Sequence, residues 1–408
     1  MLTIDVITPF NFSEIVGPVG TVKRILDNRE YFLSQNCDIT VINKRRALKQ
    51  WTPSKESNVN NHGNWKHKLK IKLDSMAINN RLLSIILVEL KFLQRKKIVD
   101  DYLKMNRTPD IICFHSEIPC YFFLKKRKNT QSKVVLFFHN DGIPYQMLRL
   151  YYPKLEGSWY LKSLMKRYEY TVNNADRCVF ICRKGMININ NSFPTSVEKS
   201  SLVINGIDDL KSTELAYIEN VKRERELDNV VKLCCVGSVS IRKGQRKLIE
   251  TLGKLDKKQR MHYQLTIVGN GSDLNYCKTL VNNMHLEDVV NFTGAVDNKE
   301  VYKYLATADV FVLLSMNEGM PISIIEAMRA GLAILSTNVS GIPELVSEEN
   351  GLLIEPTSEA LYNVLLRGDD YNWKAMGEKS RDRYLEMFTF ERMRLDYVKM
   401  IYNTIGLK

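Results

Sequence analysis

The sequence has no long apolar run. Its longest, Leu82 to Leu90, is interrupted by Ser84 and Glu89 and falls well short of the roughly 20 residues a spanning helix needs, so no segment is expected to cross a membrane. Any Cys-x-x-Cys is missing as well. The eight cysteines, at 37, 113, 120, 178, 182, 234, 235 and 277, fall mostly inside apolar, strand-like stretches. That placement argues for reduced, packed thiols, against a zinc site or disulfide framework, and so for a reducing, cytoplasmic compartment. The amino-terminal Met1-Leu-Thr-Ile-Asp-Val-Ile-Thr8 lacks a basic region, an apolar core and a small-residue cleavage site, which argues against a secretory signal. Neither a low-complexity tract nor a tandem repeat is present.

What remains is an ordinary globular composition, 44% hydrophobic and 26% charged, in 408 residues. Single cores seldom grow past roughly 250 residues, so two domains of about 200 each are expected, with a cleft between them. The net charge of +13 is unevenly spread. Residues 1–208 hold 33 Lys+Arg against 18 Asp+Glu, a net of +15, and the remainder holds 26 against 28, a net of −2. A one-sided basic half predicts attraction to a polyanion: an anionic lipid surface, a diphosphate-linked substrate or nucleic acid.

Short β-rich runs alternate with helical patterns throughout. In the first half, strands fit Thr3 to Thr8, Asp38 to Ile42, Asp110 to His115, Lys133 to His139 and Asp176 to Cys182, and helices fit Thr21 to Ser34, Ile78 to Asp101 and Trp159 to Asn173. Asn43 to Asp74 is polar, basic and aperiodic, as a surface insertion would be. After a boundary near Val203-Ile-Asn-Gly-Ile-Asp208, strands fit Val231 to Val236, Gln264 to Val268, Val289 to Phe292, Val310 to Leu314 and Ala333 to Ser336. This alternation predicts two α/β, doubly wound domains: 1–208, 209–388, and a terminal helix over 389–408 that crosses back to the first.

Pro321 to Ala330 can start a helix directly after the strand Val310 to Leu314 and the loop Ser315-Met-Asn-Glu-Gly319, proline being favoured at a first helical position. Loops at the carboxyl ends of strands line the crevice of an open α/β sheet, which puts Glu318 at its mouth and Glu326 further along the helix. Carboxylates there can hold ribose or sugar hydroxyls, and the amides of Gly319 and Met320 can meet phosphate oxygens. Taken alone, the pair also reads as a loop glutamate and a helix-surface glutamate.

Glu318-Gly-Met-Pro-Ile-Ser-Ile-Ile-Glu326-Ala-Met-Arg-Ala-Gly331 resembles the E-x7-E signature of glycosyltransferase family 4. Further matches follow in register: Ile204-Asn-Gly-Ile-Asp208, Val236-Gly with Lys243-Gly244, Ile267-Val-Gly-Asn-Gly271, Phe292-Thr-Gly294, Ala308-Asp-Val-Phe311, Gly341-Ile-Pro-Glu344 and Asn350-Gly-Leu-Leu353. The resemblance is strong over residues 203–355 and thinner elsewhere. It implies a GT-B fold, two Rossmann-like doubly wound domains facing each other across a cleft, and retaining transfer of a sugar from a nucleotide-sugar, a UDP-sugar by expectation. The acceptor would be a saccharide or lipid-linked saccharide in surface polysaccharide biosynthesis.

By the same resemblance, Glu326 would bind the nucleotide ribose, Glu318 would contact the transferred sugar, and Lys243 would neutralise the leaving diphosphate. The donor site would be completed by Gly319, Met320, Pro321, Gly237, Ser238, Arg242 and Gly269. From the first half, His139, in Phe138-His-Asn-Asp-Gly142, resembles the family's strand-end histidine beside the donor sugar. Gly17 and Gly20, in the loop Ile15-Val-Gly-Pro-Val-Gly20 before a helix, would approach phosphate. One departure stands out: where the family has Gly-Arg, this chain has Gly237-Ser238. Arg242 would have to supply the second cation. No Asp-x-Asp occurs, so neither a metal nor another cofactor is expected.

The clusters Lys44-Arg-Arg46, Lys66-His-Lys-Leu-Lys-Ile-Lys72 and Lys125-Lys-Arg-Lys128 read either as solvated surface or as a docking face for anionic lipid. Between Arg149 and Arg167, the aromatics Tyr151, Tyr152, Trp159 and Tyr160 suit either a core or a membrane interface. The expected location is cytoplasmic, peripheral at the inner membrane face, with no nucleic-acid partner. Two other readings are carried: a noncatalytic GT-B subunit, motivated by Ser238, and a nucleic-acid-binding protein, motivated by the basic half. Gly269-Asn-Gly271-Ser-Asp-Leu274 lacks the third glycine of a dinucleotide fingerprint and is read as a strand–helix turn.

Overall fold

A computed structural model describes residues 1–10, 17–43, 73, 75–127, 131–225 and 230–407, with the backbone alone at 17 and 18. All of the expected insertion except Asn43 and Leu73, with the basic clusters at 44–46 and 66–72, and Lys128 lie outside the described residues. The chain divides into two compact units. One comprises Met1–Phe180, Met186–Leu202 and Val398–Lys408, the other Ile181–Gly185 and Val203–Tyr397.

The first unit is built on six parallel strands: β1 (Leu2–Ile7), β2 (Cys37–Ile42), β3 (Ile111–Phe114), β4 (Lys133–Phe138), β5 (Arg177–Phe180) and β6 (Ser200–Leu202), in the order β2-β1-β3-β4-β5-β6. The second has β7 (Val231–Val236), β8 (Tyr263–Val268), β9 (Val290–Gly294), β10 (Val310–Leu313), β11 (Ala333–Thr337) and β12 (Gly351–Ile354), in the order β12-β11-β10-β7-β8-β9. A parallel sheet covered by helices on both faces must bury its strands on both sides. All four residues of β3 and of β10 are buried accordingly. Strand order reverses between β1 and β3 in one sheet and between β7 and β10 in the other, and loops leaving the carboxyl ends at such a switch point form a natural ligand crevice. All eight cysteines are buried, as their apolar strand contexts required.

Several local expectations change. The helix expected over Thr21 to Ser34 is two, Gly17–Asp27 and Arg29–Ser34, broken at Asn28. Gly17 and Gly20 therefore lie within the first turn of a helix and not in a loop before it. Pro321 caps the helix Ile322–Arg329 and is not its first residue; with an extended ψ of 118° it sets the entry angle. Val203–Asp208, read as the end of the first domain, packs within the second unit. There Ile207 exchanges backbone hydrogen bonds with Phe388 and Phe390, and a side chain at Gly206 would overlap the Thr389 carbonyl. The terminal helix Phe390–Ile405 has its first half in the second unit and its last half in the first. No described helix is long and apolar enough to cross a membrane.

Candidate functional site

The loops that leave the carboxyl ends of β7 and β10 meet at the switch point of the second sheet. Gly237 (φ 135°) turns the chain out of β7, and a short 3-10 turn, Ile241–Lys243, ends at Gly244 (φ 77°), where the helix Gln245–Lys254 begins. A Cβ at Gly244 would overlap the Leu314 carbonyl, so only glycine permits both the left-handed backbone and this approach. Met316 N–H donates to the Arg242 carbonyl at 2.8 Å, which joins the two loops backbone to backbone. The neighbouring loops are equally close: a Cβ at Gly269 would overlap the Gly237 carbonyl, and one at Gly341 the Gly319 carbonyl.

On this frame sits a charged cluster. Glu318 Oε1 accepts from Arg242 Nη1 at 2.6 Å, from Lys243 Nζ at 2.7 Å and from Ser315 Oγ at 2.8 Å. Arg242 Nη1 also donates to the Asn317 carbonyl at 2.8 Å. The side chains of Glu318, Lys243 and Arg242 are only 10%, 12% and 21% exposed. Burial pushes the Glu318 carboxyl up, but Lys243 and Arg242 more than offset it, and the group sits below its ordinary value. Burial also lowers the Lys243 ammonium, and the adjacent Arg242 lowers it further, against the pull of Glu318. At neutral pH the cluster holds one negative and two positive charges. The unmatched positive charge, largely removed from water, makes this a place where an anion is stabilised.

The other residues singled out in the sequence are distributed around it. Gly319 and Met320 form the buried turn between Glu318 and the capping Pro321, and the Met320 carbonyl accepts from Asn205 Nδ2 at 3.4 Å. Glu326 is half-buried on the helix Ile322–Arg329. Ser238 is exposed, its carbonyl held by Gln245 Nε2 at 3.2 Å. Gly269 follows β8 and touches the Gly237 turn. Thus Glu318, Lys243 and Arg242 are brought into direct contact, with Ser238, Gly237 and Gly269 in adjoining turns.

His139, Gly17 and Gly20 belong to the first unit. There His139 follows β4, and its Nε2 lies 2.9 Å from Nδ1 of His115, which follows β3. Burial lowers His139 to about 4, and burial together with His139 drives His115 well below its usual value. Both rings are therefore neutral at physiological pH.

Three partners have no role assigned from the sequence. Ser315 and Asn317 stand in the loop as ordinary polar residues. His115 reads only as a strand end, although it stands one residue beyond an apolar strand just as His139 does. Other motif residues prove to be scaffold: Glu344 accepts from the Arg183 and Lys184 amides at 2.8 Å each, and Asn350 Oδ1 accepts from the Ser347 amide at 2.7 Å.

Residues 217–367 match the family model described as glycosyl transferases group 1. The matched segment is less than half of the chain. It spans β7 to β12 and includes Arg242, Lys243, Glu318 and Glu326. The chain is 34% identical over 146 residues to N-acetyl-alpha-D-glucosaminyl L-malate synthase of Bacillus anthracis, a match covering 35% of this chain and 38% of that protein. It is 33% identical over 156 residues to the amylovoran biosynthesis glycosyltransferase AmsK of Erwinia amylovora, covering 36% and 38%. These alignments thus span less than two-fifths of either relative. Over nearly whole chains, 99% of this one and 100% of the other, the structure resembles Alr3699/HepE of Anabaena in complex with UDP, with a TM-score of 0.68 and 13% identity. That likeness, with the two six-stranded sheets, shows the GT-B fold with its two Rossmann-like domains.

Within the group 1 segment, the Glu318 cluster has a pH signature. A carboxyl whose folded pKa is depressed contributes stability that is present above its unfolded value of about 4.5 and lost as pH falls through the lower folded one. Replacing Glu318 by Gln leaves two cations unpaired and is expected to destabilise the chain by on the order of 3 kcal/mol at pH 7. The gap from wild type should narrow as the pH drops below about 4.5, read from denaturant midpoints. A gap unchanged down to about pH 3 would contradict the ion pairing.

Proposed function

We propose that this chain is a retaining glycosyltransferase that moves a sugar from a nucleotide-sugar, in our reading a UDP-sugar, to a saccharide or lipid-linked saccharide in polysaccharide biosynthesis. The observation that carries the proposal is the surplus positive charge at the switch point of the second sheet. Negative charge develops on the diphosphate as the bond to the sugar breaks, and cations already in place stabilise it without reorganisation. Lys243 takes that role. Arg242, on the same Glu318 oxygen, supplies the second cation that Ser238 does not. Glu318 contacts the transferred sugar, Glu326 the ribose, and His139 a sugar hydroxyl, while Gly319, Met320, Pro321, Gly237, Gly269, Gly17 and Gly20 line the donor. That Alr3699/HepE is seen with UDP and that AmsK is named for amylovoran biosynthesis support the donor and the product class.

Retention follows a front-face displacement. The bond from the anomeric carbon to the phosphate oxygen breaks, the acceptor oxygen bonds to the same face, and the acceptor proton passes to the departing phosphate. The two cations do the charge neutralisation, so no metal takes part.

A peripheral position on anionic membrane is proposed alongside. The helix Arg81–Leu103 buries Ser84, Val88 and Phe92 on one side, yet leaves Leu82, Ile86, Leu90 and Leu93 exposed on the other. A helix apolar on both sides calls for a second apolar contact. Its residues 81–97 carry Arg81, Lys91, Arg95, Lys96 and Lys97 against the single acid Glu89, which pairs with Arg167 at 3.1 Å. Of the nearby aromatics, Trp159 and Tyr151 are exposed, whereas Tyr152 and Tyr160 are core.

For the reaction, a panel of nucleotide-sugars scored by thermal shift should give one donor that stabilises the fold. With that donor, Lys243→Ala should cost about 100-fold or more in turnover, Arg242→Ala should also cost turnover, and chelators should cost nothing. A silent panel sinks the transferase reading, an inverted product sinks retention, and an unimpaired Arg242→Ala sinks the second-cation role. For the membrane, the chain should pellet with phosphatidylglycerol vesicles and not with phosphatidylcholine ones. Failure to pellet, or undiminished pelleting of the double variant Ile86→Ser with Leu90→Ser, would remove this surface from the account.

A further inference from the structure

The histidine pair in the first unit carries information that the donor site leaves unused. The His115 ring is 2% exposed, lies against Phe137 at a centroid distance of 4.4 Å and an interplanar angle of 7°, and is anchored by its amide, which donates to the Ile7 carbonyl at 3.2 Å. The two rings share a contact of 2.9 Å between His115 Nδ1 and His139 Nε2. Because both rings are neutral, each has one N–H, and the contact needs one proton between the two nitrogens.

Only two arrangements meet that condition. If His139 Nε2–H donates, the His115 proton must sit on its own Nε2. That atom is buried, and no described residue pairs with it. If His115 Nδ1–H donates, its Nε2 is a bare acceptor, and the His139 proton sits on Nδ1. A buried N–H without a partner is the rarer and costlier orphan, so the second arrangement is favoured.

We propose that His115 is a positioning residue: by donating its Nδ1–H to His139 Nε2, it fixes His139 in the tautomer that carries its proton on Nδ1. Half-buried His139 is then a rigid, neutral N–H donor at the carboxyl end of β4, suited to the oxygen of a sugar hydroxyl. Its lone pair is already occupied by His115, which bars it from acting as a base through Nε2. The inference about the pair stands on the rings themselves; the hydroxyl as its target rests on the proposed reading of His139 as a donor-sugar residue.

The test is long-range proton–nitrogen correlation on the full chain labelled with 15N-histidine, with the six histidines assigned through His115→Phe and His139→Asn. His139 should appear protonated on Nδ1 and bare on Nε2, and His115→Phe should abolish that single tautomer. His115→Asn keeps an N–H donor near the Nδ1 position and should preserve both tautomer and turnover. In steady-state assays with the identified donor, His115→Phe should lower kcat about tenfold with the donor KM within about twofold. A proton found on His139 Nε2 in the native chain, or a tautomer unmoved by His115→Phe, overturns the positioning role. A tautomer as described with wild-type turnover in His115→Phe overturns the sugar contact instead.

Discussion

A single carboxylate oxygen holds two cations and a hydroxyl at the switch point of the second sheet, and the organisation of that unit converges on it. Glu318 can be there only because the β7 and β10 loops come within backbone contact, which requires glycine at 244 beside the Leu314 carbonyl. Arg242 and Lys243 can be there only because the 3-10 turn Ile241–Lys243 delivers both heads to one place. The cost of desolvating them is met partly by Glu318, and the charge that Glu318 leaves unmatched gives the site its appetite for an anion. The same pairing keeps two long, flexible cationic side chains ordered before any ligand arrives, which is the preorganisation that electrostatic catalysis requires.

The two units use similar means to different ends. In both, the clustered side chains stand one to seven residues beyond a strand of the sheet, where the sheet ends and the backbone turns. In the second unit, desolvation is opposed by an opposite charge, and the groups stay ionised. In the first, two histidines meet with no carboxylate among the described residues acting on them, and desolvation wins: His139 falls to about 4 and stays neutral.

Much of this was legible in the sequence. Alternating apolar strands and helical stretches marked ten of the twelve strands, with ends within a residue or two, because local burial patterns dictate them; the short edge strands β6 and β12 were missed. The ordered turns around Glu318 and Glu326 marked the group 1 segment. What could not be read were contacts between distant residues. Nothing local says that Arg242 reaches residue 318, that Asn317 and Ser315 complete that cluster, or that His115 faces His139 across β3 and β4. Glu344 and Asn350, which stand in matching motifs, hold amides of the scaffold. The displaced glycines of the amino-terminal segment illustrate a local limit: a glycine-containing stretch reads as loop, yet Gly17 and Gly20 are taken into a helix by the residues that follow.

The central claim is that the Glu318 cluster is a preassembled anion site for a nucleoside diphosphate. Calorimetric titration of uridine, adenosine and guanosine diphosphates into the native chain and into Lys243→Ala measures it directly, with the nucleosides alone as controls. The account requires saturable binding of at least one diphosphate, a loss of at least about tenfold in affinity in Lys243→Ala, and no comparable loss for the nucleoside. Absence of binding by every diphosphate, or binding that Lys243→Ala leaves unchanged, would contradict it.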